Sequence, residues 1–413
     1  MVEEMTLSEH LISLEERYGA HNYHPLPVVL DRGEGVFVYD VEGKRYYDFL
    51  SAYSAVNQGH CHPRIIQALV EQAPKLTLTS RAFYNSVLGK FEEYITNLFG
   101  YDKVLTMNTG VEAVETALKL CRKWAYQVKG IPADRAKILF AGGNFHGRTL
   151  SVISASTDAS SRNGFGPFMP GFEVVPYNSI EAVENALMND PYIAGIIIEP
   201  IQGEAGVVVP NDNYLHEVAR LCKASNVLFI ADEIQTGIAR TGKMLCVNHA
   251  NIRPDIVILG KALSGGVLPV SAVLADDEIM LTIKPGEHGS TYGGNPLACA
   301  VAMEALKVVI DEDLAGNAQH LGEIFRKEMQ EYANNNDIVR LVRGKGLLNA
   351  IEINTDESSD LAWNICLKLR DNGLLAKPTH GNKIRLAPPL VMTEAQMYEC
   401  LEIIKDTLDS FAV

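Results

Sequence analysis

Val227-Leu-Phe-Ile-Ala-Asp232 and Pro254-Asp-Ile-Val-Ile-Leu-Gly-Lys261 are two short apolar runs, each closed by a charged side chain, with Lys261 lying 29 positions after Asp232. Continuous rather than alternating hydrophobicity over so few residues means a strand buried on both faces, the pattern of a parallel sheet covered by helices. Similar runs recur around them: Lys137-Ile-Leu-Phe140, Phe172-Glu-Val-Val175, Gly195-Ile-Ile-Ile198 and Val270-Ser-Ala-Val-Leu274. Helical patterns separate them. Between Asn108 and Gln127, Val111, Val114, Leu118, Cys121 and Ala125 step by three and four, which puts them on one helical face that packs on the sheet. Residues from about 104 to 275 therefore read as α/β, a mostly parallel central sheet flanked by helices.

Beyond that core the pattern changes. Helical periodicity covers Ala298 to Val309 and about Asn317 to Ala333, strand-like Leu347-Leu-Asn-Ala-Ile-Glu-Ile353 follows, and an amphipathic helix starts at Thr393. That mixture reads as a smaller α+β unit. Near the other end, Gly35-Val-Phe-Val-Tyr-Asp-Val-Glu-Gly-Lys-Arg-Tyr-Tyr-Asp48 is two strand-like runs around a turn signal, a hairpin. A chain of 413 residues, 47% of them hydrophobic, can bury more than one core.

Composition excludes several functions. The net charge is −15 and no basic run exceeds a pair such as Arg122-Lys123, which argues against a nucleic-acid surface. Cys61, Cys121, Cys222, Cys246, Cys299, Cys366 and Cys400 stand singly without CxxC spacing, so neither a zinc ribbon nor a disulfide framework is written here, and a reducing compartment fits. His60-Cys-His62-Pro63 offers two histidines and no further ligand nearby; no metal is expected. The longest apolar stretches are strand-sized, and the acidic start Met1-Val-Glu-Glu-Met-Thr6 differs from a secretory signal or an Arg-rich transit peptide. The expectation is a soluble cytoplasmic protein without membrane contact, or a mitochondrial-matrix one whose transit peptide has been removed.

The charges closing the first two runs carry the chemistry. Ligand clefts of open α/β sheets lie outside the carboxyl ends of strands, so parallel neighbours would bring Asp232 and Lys261 to one cleft. An amine and a carboxylate there suggest pyridoxal 5'-phosphate, whose aldehyde needs a lysine for its Schiff base and whose ring nitrogen needs an anion to stay protonated. Singly, Asp232-Glu233 is as good a helix cap or metal acid, and a lysine after a strand is commonly a solvated charge; the pairing, with Ser264-Gly-Gly266 beyond it, favours the cofactor. Asn108-Thr-Gly-Val111 follows strand-like Val104-Leu-Thr-Met107 and opens a helix, where free N–H groups and the dipole suit a phosphate and Gly110 permits close approach. The same residues also make an ordinary N-cap.

Gly289-Ser-Thr-Tyr-Gly-Gly-Asn-Pro296 suits a phosphate or a plain turn equally. In Gly142-Gly-Asn-Phe-His-Gly-Arg148, Phe145 could stack on a flat ring and Arg148 could fork a carboxylate, though a loop arginine is often merely solvated. Alternating strands and helices also fit a nicotinamide-binding dehydrogenase, but Asn108-Thr-Gly-Val-Glu-Ala113 lacks G-x-G-x-x-G. Fold alone does not separate an enzyme from a non-catalytic binding protein.

Together these residues resemble the fold-type I PLP-dependent enzymes, specifically the class III (ω-amino acid) aminotransferases, through nearly the whole chain. Ala20-His-Asn-Tyr-His-Pro-Leu-Pro27, Tyr53-Ser-Ala-Val-Asn-Gln-Gly-His-Cys-His-Pro63, Glu199-Pro-Ile-Gln-Gly-Glu-Ala-Gly206 and Lys284-Pro-Gly-Glu-His-Gly-Ser-Thr-Tyr-Gly-Gly-Asn-Pro296 are similar to the ornithine-using members of that class. The resemblance implies that residues 1–53 belong to a small domain, 54–314 form the large cofactor domain and 315–413 complete the small α+β domain. It implies Lys261 as covalent anchor and acid/base, Asp232 at the pyridine nitrogen, Gln235 at the phenolic oxygen and Phe145 stacked on the ring. Gly110 and Val111 would bind the phosphate through backbone N–H groups, and Thr291 would reach it from a neighbouring subunit, making a homodimer obligatory. Tyr23 and Arg148 would hold the α-amino acid end of ornithine, Glu204 and Arg385 would form a gating pair that opens for 2-oxoglutarate, and Tyr53 would favour ornithine over 4-aminobutyrate. The implied reaction moves the δ-amino group of L-ornithine to 2-oxoglutarate, with N-acetylornithine or 4-aminobutyrate as alternative donors. Two positions depart: Val114 stands where some members have glycine, and His146 where some have tryptophan.

Overall fold

Three sheets organise the computed structural model, which describes residues 5–411. Strands β1 (Leu30–Glu34), β2 (Phe37–Asp40) and β3 (Arg45–Asp48) form an antiparallel meander whose second turn is the expected hairpin. The large sheet contains β4 (Lys103–Met107), β5 (Lys137–Ala141), β6 (Phe172–Val175), β7 (Ile193–Ile198), β8 (Leu228–Asp232), β9 (Ile256–Leu259) and β10 (Ser271–Ala275). The third sheet is built from β11 (Val339–Lys345), β12 (Leu348–Ile353), β14 (Lys377–Pro378) and β15 (Lys383–Leu386), while β13 (Leu374–Leu375) crosses to pair in parallel with β3. That crossing ties the N-terminal meander to the C-terminal unit.

The large sheet has the order β4-β10-β9-β8-β7-β5-β6. Pairings from β6 to β9 are parallel, and β10 runs antiparallel to both β9 and β4. Two antiparallel steps restore direction, so β4 points the same way as β9. The carboxyl ends of β4, β5, β7, β8 and β9 therefore open on one edge. The apolar run of β10 did not reveal its reversal, because hydrophobicity reports burial and not direction.

Burial explains the runs. Ile196, Ile197, Ile198, Ile230, Ala231 and Ile256 through Leu259 have no exposed surface, and each of the isoleucine, valine and leucine side chains contributes about 1.5–3 kcal/mol relative to exposure. Helix Gly110–Trp124 lays Ala113, Val114, Ala117 and Cys121 on the sheet, and a π-helical turn, Ala125–Lys129, extends it to Gly130. Gly195 lets it approach: a Cβ there would lie 2.6 Å from the Cys121 Sγ.

In the C-terminal unit, helices Leu314–Ala333, Leu361–Asp371 and Glu394–Asp409 appear, the last capped by Thr393 as its spacing predicts. Buried Arg240 knits the units, its Nε and Nη2 donating to Asn57 Oδ1 and its Nη1 to the carbonyls of Leu347 and Pro388. All seven cysteines are unpaired, and among the described residues no helix is long and apolar enough to cross a membrane. Residues 1–4 and 412–413 of the expected domain bounds lie outside the described residues.

Candidate active site

Asp232 ends β8 and Lys261 follows β9, adjacent parallel strands in which Asp232 pairs with Ile258. Asp232 is buried; its Oδ1 accepts the Ile234 N–H at 3.1 Å and its Oδ2 lies 2.6 Å from His146 Nδ1. Burial disfavours the His146 imidazolium, but the hydrogen bond and charge of Asp232, with Glu199 beyond, outweigh it and hold His146 above its ordinary value. Lys261 opens a short 3₁₀ turn, Lys261–Ser264, with φ of 43°. Burial, aided by the Arg385 charge, pushes its ammonium below the ordinary value against Glu204, Asp232 and Glu199.

Glu199 follows β7 on the same edge and accepts the Phe145 N–H at 2.8 Å. Burial pushes its carboxyl up to about 8 despite His146. The unfolded chain ionises this group near 4.5, so between the two values folding takes up a proton and stability falls as pH rises, by up to about 1.4 kcal/mol per pH unit. Glu199→Gln keeps an acceptor for Phe145 and removes the titration. Melting of the cofactor-free protein between about pH 5 and about pH 8 should therefore fall less steeply in the variant, and parallel curves would show that Glu199 stays ionised.

Helix Gly110–Trp124 begins beside this cluster. Thr109 and Glu112 form a capping box, with Thr109 Oγ1 accepting from the Glu112 N–H and the Glu112 carboxylate from the Thr109 N–H. The ordinary cap is thus real, yet among the described residues the amides of Gly110 and Val111 have no protein acceptor. A cavity of about 400 Å³ joins Gly110 and Thr109 to Lys261.

Glu204 and Arg385 meet from different sheets, Arg385 on β15 and Glu204 in the loop after β7, with Nη1 to Oε1 at 2.8 Å. Gln235 bridges them, donating from Nε2 to Glu204 Oε1 at 3.0 Å and accepting from Arg385 Nη1 at 3.2 Å. Gly203 makes room for this bridge, since a Cβ there would overlap the Gln235 Oε1. Burial pushes the Glu204 carboxyl up, but Arg385 holds it below its ordinary value. Arg385 is fully buried, and its Nε and Nη2 have no partner among the described residues.

Tyr53 lies over Arg385, its ring centroid 4.7 Å from the guanidinium carbon. It sits in an unusual turn: Ser51, Ala52, Tyr53 and Ser54 have φ of 49°, 45°, 61° and 71°. Four successive left-handed L residues cost about 1–2 kcal/mol each. Burial, Glu204 and nearby Tyr23 together raise the Tyr53 phenol pKa, Arg385 opposing, so the hydroxyl stays neutral.

The expected residues thus fall in groups. Lys261, Asp232, Gln235, Glu204 and Arg385 converge, and Gly110, with Val111 next to it in the helix, lines one cavity with Lys261. Phe145 lines a cavity of about 380 Å³ with Glu204, and the Arg148 guanidinium lies 5.3 Å from its ring while donating to Ser161 Oγ. Tyr23 and Thr291 are exposed. The sequence reading marked His146 only as a departure from the family pattern and gave Glu199 no role. Glu199 carried a signal, since it follows an apolar strand run just as Asp232 ends one. The partnership of His146 with Asp232, 86 residues apart, carried none.

The family description Aminotransferase class-III matches residues 18–408. The mitochondrial ornithine aminotransferase of Rattus norvegicus is 64% identical over 404 residues, 98% of this chain and 91% of that protein. Among solved structures, the ornithine aminotransferase of Toxoplasma gondii, described with partial occupancy of PLP at its active site, has a TM-score of 0.96 at 47% identity, covering 98% of this chain and 95% of that one. The acetylornithine aminotransferase of Elizabethkingia anophelis has a TM-score of 0.91 at 60% identity, covering 98% and 99%.

Proposed function

The chain belongs to the class-III aminotransferases, and from that membership we propose that it moves the δ-amino group of L-ornithine to 2-oxoglutarate, giving glutamate 5-semialdehyde and glutamate. The buried Glu204–Arg385 pair, with two guanidinium nitrogens unpartnered, carries this reading. The carbon bearing the δ-amine of ornithine has no carboxylate, whereas the keto carbon of 2-oxoglutarate does. With Glu204 in place, Arg385 is neutralised for the first substrate; with Glu204 swung away, it offers a fork to the second.

The residues present fit pyridoxal 5'-phosphate. Unpaired amides at Gly110 and Val111 suit its phosphate, the Asp232 carboxylate suits its ring nitrogen, Phe145 offers a stacking face, and Gln235 Nε2 keeps a second hydrogen for the phenolic oxygen. When bound, the cofactor supplies an electron sink for the carbon that loses its proton. Lys261 holds the aldehyde end and, with its lowered pKa, is suited to take and return that proton. Asp232, oriented by Ile234 and His146, would keep the cofactor's ring nitrogen protonated, so that the ring draws electrons from that carbon. Tyr23 and Arg148 hold the far, α-amino acid end of ornithine.

A second copy of the chain completes the site in this reading, presenting Thr291 to the phosphate. Thr291 is exposed, and Phe83, Tyr84 and Tyr292 form aromatic surface, 70%, 104% and 57% exposed, of the kind that subunit contacts cover. Residues 54–314 are then the cofactor domain, with 1–53 and 315–413 as the smaller one. Seven unpaired cysteines fit a reducing compartment, the cytosol or, as the rat protein's name says of that protein, the mitochondrion.

Initial rates with 2-oxoglutarate as acceptor test the substrate. Ornithine is expected to give a higher kcat/KM than N-acetylornithine or 4-aminobutyrate, with glutamate 5-semialdehyde as product. A higher value for N-acetylornithine would move the assignment to the activity that the Elizabethkingia protein's name carries.

A further inference from the structure

The left-handed turn Ser51–Ser54 is not held by its own side chains, for the hydroxyls of Ser51 and Ser54 are buried without partners among the described residues. It is held from outside. Asp48, at the end of β3, accepts the N–H groups of Leu50 at 2.8 Å and Ser51 at 2.9 Å through Oδ1. Its other oxygen, Oδ2, accepts from His60 Nε2 at 2.7 Å. His60 is fixed in turn by its backbone, which exchanges two hydrogen bonds with Gly35. Downstream, Asn57 Nδ2 donates to the Ile238 carbonyl and Gln58 Nε2 to those of Ala262 and Ala305. Both ends of the turn are thus anchored, and the segment between cannot relax to a right-handed turn without moving Tyr53 off Arg385.

Backbone strain at a site persists only where surroundings over-determine it. Here the strained element does one visible thing, which is to lay the Tyr53 ring on the guanidinium that receives a substrate carboxylate. We propose that Asp48 and His60 are positioning residues that clasp the left-handed turn Ser51–Ser54, hold Tyr53 on Arg385, and thereby set which amine donor the site accepts. With the ring in place over the guanidinium that Glu204 neutralises for amine donors, the wall beside the reacting end is fixed, and ornithine, held at its far end by an α-amino acid group, is favoured over 4-aminobutyrate, which lacks the α-amino group. The proposal rests on the reading of Tyr53 as the selector of ornithine over 4-aminobutyrate.

The test reads the ratio of kcat/KM for ornithine to that for 4-aminobutyrate, together with the melting temperature. Ala52 is exposed, so substitutions there act through the backbone. Ala52→Gly should keep the ratio within about twofold and raise the melting temperature, because glycine adopts φ near 45° without strain. Ala52→Val, whose β-branch resists that conformation, should lower the melting temperature and cut the ratio by about tenfold. His60→Ala should cut the ratio similarly, and in a Tyr53→Ala background it should change it by less than about twofold. If Tyr53→Ala alone leaves the ratio unchanged, the selector reading fails and the clasp with it. If Tyr53→Ala lowers the ratio but Ala52→Val and His60→Ala do not, or if the effects of His60→Ala and Tyr53→Ala multiply, the clasp alone is overturned. Should His60→Ala fold poorly, the Ala52 pair decides.

Discussion

Lys261→Ala is expected to abolish turnover, by more than about 10⁴-fold, because general acid–base transfer alone contributes about 10²–10⁴ and the covalent hold is lost as well. The visible absorbance of bound cofactor should change at the same time. Stability should not suffer. Burial already disfavours the Lys261 ammonium, so its removal leaves the melting temperature unchanged or higher. A small primary amine added at high concentration should restore part of the rate by entering the space the side chain leaves. Turnover retained without added amine would remove Lys261 from the chemistry, and with it the role given to Asp232 beside it.

Arg385→Met is expected to split the two halves of the reaction. The unpartnered Nε and Nη2 are free to make two charge-assisted hydrogen bonds to a carboxylate. At about 1.5–3 kcal/mol each, their loss should slow the 2-oxoglutarate half by roughly 10²–10⁴. The ornithine half, which asks only that the guanidinium be neutralised, should change far less. Without Arg385, burial acts on Glu204 against only the Gln235 hydrogen bond and the Lys261 charge, and its carboxyl moves up. Single-turnover measurements of each half separate the outcomes, and equal losses in both would mean that Arg385 merely supports the fold.

Much of this site was legible in the chain because each legible part is local. Asp232 and Lys261 announced themselves by closing apolar runs, and Thr109-Gly110-Val111 by opening an amphipathic helix after one. In each case a neighbouring stretch of sequence states the element, and the sheet rule for strand ends states the place. The gating pair was reached only through resemblance, since Glu204 and Arg385 are 181 residues apart and nothing in either segment names the other. The contact of His146 with Asp232 and the place of Gln235 between Glu204 and Arg385 were not reached at all. The turn at Ser51–Ser54 was hidden for a different reason: no glycine marks it, and the residues that impose its conformation lie outside it.

Periodicity and apolar content, then, determined an α/β sheet with a cleft at its strand ends, and two charges at that cleft determined the chemistry worth looking for. Only the tertiary structure decided that β10 reverses, that β13 returns to bind the N-terminal meander, and that Arg385 arrives buried with two donors unspent. Burial pattern is written into each segment by its own side chains, whereas strand direction, long-range pairing and tolerated strain are set by what surrounds the segment once the chain has closed on itself.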